Sequence, residues 1–143
     1  MVKETQKNFI GSIIEESLEK KGILQKVKIL KTKIETVTKE HKTPWIKKWT
    51  IHVVEVSENK ADAIAKELSA SLDSKHYWHV ELWSDSHFYV IFPNKMFKVE
   101  TSKREQYNEA KQYGQTLGIP EFQIDFNPEV KKKKEIENIK IPQ

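Results

Sequence analysis

Ten lysines fall between Lys20 and Lys48 against two acids, Glu35 and Glu40, a local charge of +8 in a chain whose total is only +4. Ammonium groups gathered in this way neutralise the phosphates or carboxylates of a polyanion. The aromatic residues interleaved with them, His41, Trp45 and Trp49, have faces on which nucleic-acid bases can stack. The candidate contact set is Lys26, Lys28, Lys31, Lys33, Lys42, Trp45, Lys47, Lys48 and Trp49. Two other readings account for the same run. One is a solvated sheet face whose lysines guard against edge-to-edge pairing. The other is contact with acidic surface on the molecule itself or on a second subunit, since the rest of the domain to residue 128 carries −6.

A second set is His79, Glu81 and His87. If residues 76–83 and 87–92 form a hairpin with a three-residue turn, Glu81 lies diagonally across from His87, and the three side chains converge within about 7–8 Å. Two imidazoles and a carboxylate can ligate a divalent metal, or serve as a base with its orienting acid. The same mix is common on a half-exposed sheet face. His79-Val80-Glu81 resembles the H-x-E of zinc deaminases, but their cysteine ligands cannot exist in a chain without cysteine. The absence of cysteine also removes disulfides, thiolate nucleophiles and iron–sulfur ligands, and it favours a reducing, cytoplasmic setting. The contiguous Ser84-Asp85-Ser86-His87 has triad residue types without triad geometry. The glycines Gly11, Gly22, Gly114 and Gly118 form no phosphate-cradling loop. No cofactor is implied. Arg104 is the only arginine, so basic contacts would be made by point charges and not by the guanidinium forks that read bases.

These residues need elements to hold them. Phe9, Ile10, Ile13, Ile14 and Leu18 recur at helical spacing before Lys20-Lys21-Gly22, predicting a first helix over 5–21. Residues 25–37 and 45–56 read as a long β-hairpin with an open loop, and a parity shift between Ile29 and Leu30 predicts a bulge. Ala61, Ile64, Ala65, Leu68 and Leu72 form one stripe of a helix over 58–72, capped by Ser57. Three short strands follow at 76–83, 87–92 and 95–100, the last after the turn pair Pro93-Asn94. Ser102 and Glu105 read as a capping box for a third helix, which Gly118 and Pro120 stop. Phe122, Ile124 and Phe126 alternate in a last strand.

The sequence therefore predicts one α+β domain over 1–127 and a charged, flexible tail over 128–143. Its order is α-β-β-α-β-β-β-α-β, with about three helices gathered on one face of a mainly antiparallel sheet of about five to six strands. From the second strand onward the pattern partly resembles a ferredoxin-like βαββαβ unit, with one strand in excess, and that resemblance implies no activity. No apolar run suggests a signal peptide or membrane span. The leading functional expectation is a non-enzymatic binding domain whose lysine-rich hairpin meets an acidic partner, nucleic acid included. The alternatives are a small metal-dependent or hydrolytic enzyme using His79, Glu81 and His87, and a self-associating domain that forms a homodimer.

Overall fold

A computed structural model describes residues 8–119 apart from 42, 77 and 104. The expected strand at 122–126 and the tail lie outside the described residues. Among the described residues six strands form one sheet: β1 (Phe9–Ile14), β2 (Lys28–Thr36), β3 (Lys48–Val56), β4 (Val80–Trp83), β5 (His87–Phe92) and β6 (Lys95–Glu100). Their order is β2-β3-β1-β4-β5-β6, and every adjacent pair is antiparallel. Two α-helices among the described residues, α1 (Ala61–Ser71) and α2 (Glu105–Thr116), give an α+β architecture. No helix among the described residues is long and apolar enough to cross a membrane.

The segment expected to open the chain as a helix is instead β1, the strand between β3 and β4. A strand buried on both faces loses the alternation that marks a half-exposed one, so its apolar run can be mistaken for a helical stripe. Phe9 and Ile13 belong to one core cluster and Ile10 to the other. Gly11 sits opposite Leu82 of β4, and a Cβ there would stand 2.2 Å from the Glu81 carbonyl oxygen and 2.7 Å from Leu82 Cδ2. The two backbones approach too closely for any side chain.

With β1 in the centre, β3 and β4 run parallel on either side of it, joined by α1 in a split β-α-β unit. The ferredoxin-like resemblance extends only to that unit, because the strand filling the gap is the first in the chain. The helices also lie on opposite faces, not on one. Ala61, Ile64, Ala65 and Leu68 of α1 pack with Val54, Leu82, Tyr89 and Ile91. Tyr107 and Ala110 of α2 pack with Val53, Trp83, Phe88, Val90 and Phe92. Adjacent strand residues point oppositely, so these are the two sides of the sheet. Both parities of β4 and β5 are apolar, and each side needs its own cover.

The smaller signals were legible. The α1 stripe is buried as expected, preceded by a 3-10 turn over Glu58–Lys60 whose N-cap is Ser57, though no side-chain hydrogen bond is made there. Asn94, at φ 58°, turns the chain between Phe92 and Lys95 after Pro93. Gly118, at φ 85°, ends α2. Helix α2 is described from Glu105, next to an undescribed residue, and Gln106 Oε1 accepts from the Glu100 amide at 3.0 Å.

Gly11→Ala is expected to cost about 1–3 kcal/mol through overpacking between β1 and β4. The denaturation midpoint should fall with an unchanged slope. Gly22→Ala is the control, since nothing lies within 4 Å of a Cβ built there. Equal stability of the two variants would show that β1 and β4 are not in close backbone contact.

Candidate functional site

The bulge expected near Ile29 and Leu30 is present: Ile29 pairs with Val54 and Lys31 with Val53, leaving Leu30 extra. Its effect is electrostatic. Lys28, Lys31 and Lys33 oppose Glu55, Val53 and Ile51, alternate residues of β3, so the bulge returns all three lysines to one face of the sheet. Without it Lys28 would point the other way. Among the described strands β2 is also the outermost at its end of the sheet.

The rest of the expected lysine set is dispersed. Lys26 reaches across to Glu67 of α1 at 2.8 Å. Lys48 opposes Thr36, on the face opposite to Lys33, and Lys47 is an exposed residue just before β3. Lys42 lies outside the described residues. Some of the positive charge meets the molecule's own carboxylates: Lys21 with Glu15 at 3.5 Å, Lys28 with Glu55 at 3.9 Å and Lys33 with Glu35 at 3.4 Å. The ammonium side of each pair is more than half exposed. Such pairs contribute about 0–1 kcal/mol and exchange readily for an outside anion.

The tryptophans expected to offer stacking faces are already engaged. Trp49 donates its indole N–H to Thr43 Oγ1 at 2.9 Å and meets His41 edge-on at 4.4 Å between centroids. Trp45 is stacked on His76 at 3.9 Å and 11°, with Trp78 edge-on beside it. His76 is held in turn by Asp73 at 2.6 Å. Burial raises the Asp73 pKa, but hydrogen bonds from His76 and the Lys75 amide outweigh it and leave the carboxyl below its ordinary value. Glu35 is similar: burial opposes ionisation, and His41 and Lys33 together overcome it. The cluster ties the loop between β2 and β3 to the segment before β4.

His79, Glu81 and His87 do not converge. A hydrogen bond from the Ser84 amide to the His87 carbonyl at 2.9 Å closes a turn with only Asp85 and Ser86 at its tip. The expected three-residue turn is thus one residue too long, and the register becomes Trp83–Phe88, Leu82–Tyr89, Glu81–Val90 and Val80–Ile91. A one-residue slip reverses the facing of one strand against the other. His79 Nε2 meets Glu81 Oε2 at 2.9 Å beside Phe92, on the α2 side. His87 falls on the α1 side, where its Nδ1 contacts Ser86 Oγ at 2.8 Å. Among the described residues no group of three or more histidine and carboxylate side chains is placed to hold a metal ion.

A different imidazole is set in series with a hydroxyl and a carboxylate. His52 of β3 contacts Thr32 Oγ1 of β2 at 2.8 Å through Nδ1, and Glu15 Oε1 at 2.9 Å through Nε2. Glu15 begins the 3-10 turn that follows β1, and its neighbour Glu16 accepts from the Thr50 amide and hydroxyl at 2.6 and 2.8 Å. Hydroxyl, imidazole and carboxylate in this order are the parts of a general-base relay. Here they join three elements, β2, β3 and the turn after β1. Sequence spacing could not show this, because the relay depends on residues 9–14 being a strand.

Compared with known proteins, the chain matches no family model, no curated protein and no solved structure.

The relay carries a pH signature. The Glu15 carboxyl is held below its ordinary value of 4.5 by the His52 hydrogen bond first, against burial and with help from Lys21. Its contribution is complete above that ordinary value and is lost as pH falls through the lowered one. Glu15→Gln should therefore weaken the fold by about 1 kcal/mol at neutral pH. The gap to wild type should narrow as pH falls beneath the ordinary glutamate value and wild-type Glu15 takes up its proton. Denaturant melts across pH measure this, and a gap constant with pH would remove Glu15 from the ionised tie.

Proposed function

We propose that the chain is a non-enzymatic binding domain whose edge strand β2 presents lysines to an acidic macromolecule. The observation that carries this reading is the bulge register, which sets Lys28, Lys31 and Lys33 on one face at the rim of the sheet. The ion pairs of Lys28 and Lys33 are solvent-exposed and weak, so a polyanion with several charges displaces them at little cost. Recognition would rest on charge and not on base pattern, because the ammonium groups are point charges and Trp45 and Trp49 are already packed. The His79–Glu81 pair gives weaker grounds for an enzyme, since His87 sits on the other side of the sheet. A cytoplasmic setting accords with the absence of cysteine.

The test is titration of the full chain with short oligonucleotides and with polyglutamate across a salt series. Replacing Lys28, Lys31 and Lys33 together by glutamine should weaken binding and flatten the logarithmic salt slope for oligonucleotides by about 2. The proposal fails if neither polyanion binds at low salt, or if the triple variant keeps the wild-type slope.

A further inference from the structure

Among the described strands β2 ends the sheet, so one row of its backbone N–H and C=O groups points away from β3. Proteins commonly block such an edge with lysine, and β2 carries Lys28, Lys31 and Lys33. Three of the five exposed large hydrophobic residues among those described are nevertheless on this strand: Ile29, Leu30 and Ile34, the last 64% exposed. An edge that is both charged and apolar has to be judged by register.

From the structure we infer that β2 pairs with β2 of a second copy, antiparallel and centred on Ile34. Residues directly opposite in an antiparallel pair share a face, and a two-fold axis perpendicular to the sheet keeps like faces together. The axis must then pass through a residue position. The stretch Thr32-Lys33-Ile34-Glu35-Thr36 is self-complementary about its middle. Centred on Ile34, Lys33 of each copy faces Glu35 of the other, Thr32 faces Thr36, and the two Ile34 side chains meet on the opposite face. Opposite-charge, threonine–threonine and aliphatic pairs are all favourable across strands. Neighbouring registers are not: a centre at Thr32 sets Lys31 against Lys33, and a centre at Lys33 or Glu35 sets that residue against itself.

The present geometry agrees. Lys33 and Glu35 already lie together on one face at 3.4 Å, so each can exchange its neighbour for the facing strand's partner without changing sides. The bulge beside Ile29 stops short of the stretch and leaves Lys31–Thr36 in regular register with β3. Lys28 and Lys31 take no part in the exchanged pairs, so the assembly sets two copies of the lysine face side by side. The inference does not depend on an acidic ligand.

Sedimentation equilibrium of the full chain over a concentration series tests it. The expected result is a monomer–dimer equilibrium weakened about tenfold or more by Lys33→Glu or by Glu35→Lys. Each change turns two attractions into two repulsions. The double reversal should recover dimerisation, and mixing the two single variants should yield a heterodimer. Circular dichroism checks that each variant keeps its fold, a concern for Glu35 because His41 also contacts it at 3.2 Å. A chain that stays monomeric up to millimolar concentration overturns the inference. So does a dimer indifferent to both single reversals, or one that neither the double variant nor the mixture restores.

Discussion

The close backbone approach of β1 and β4 at Gly11 sets the plan of the molecule. Through it the first strand of the chain is held between β3 and β4, and without it the sheet would fall into a hairpin of β2 and β3 and a meander of β4 to β6. Everything functional at the β2 rim hangs from β3, which β1 joins to the larger core. The short turn after β1 extends that anchoring, because Glu15 and Glu16 both reach β3.

Local neutralisation is a recurrent device here. Four of the five histidines contact a carboxylate: His41 with Glu35, His52 with Glu15, His76 with Asp73 and His79 with Glu81. This shows why individual histidines were poor guides to chemistry: two of these contacts tie elements together, His41 with Glu35 and His52 with Glu15, and the other two are local. Charge is matched less tightly on β2, where Lys28 and Lys33 meet acids only at 3.9 and 3.4 Å and stand in water.

Sequence patterns were informative wherever the local signal and the environment agreed. The α1 stripe, the Pro93-Asn94 turn, the strand at 95–100 and the bulge beside Leu30 each rest on a propensity that nothing in the tertiary structure opposes. The failures share a cause. Where strands are covered on both sides, apolar residues stop alternating, and hydrophobicity no longer says which way a residue faces. That concealed β1 as a helix, let the register of the 76–92 hairpin slip by one residue, and gathered the expected helices on one side. For the site, the lysines of β2 were legible by composition. Their common face was not, because Lys28 and Lys31 have opposite parity until the bulge is counted.

The stacked Trp45 and His76 rings join two segments that are remote along the chain. A connection as long as that between β2 and β3 would ordinarily open on its own, exchange its amide hydrogens quickly and be an easy target for proteolysis. Here the buried Thr43, the Trp49 indole and the Trp45 ring all bind it to its surroundings. Opening it means breaking the contact with the segment before β4 as well, so the two should protect and expose their backbones together, as one cooperative unit and not as independent loops.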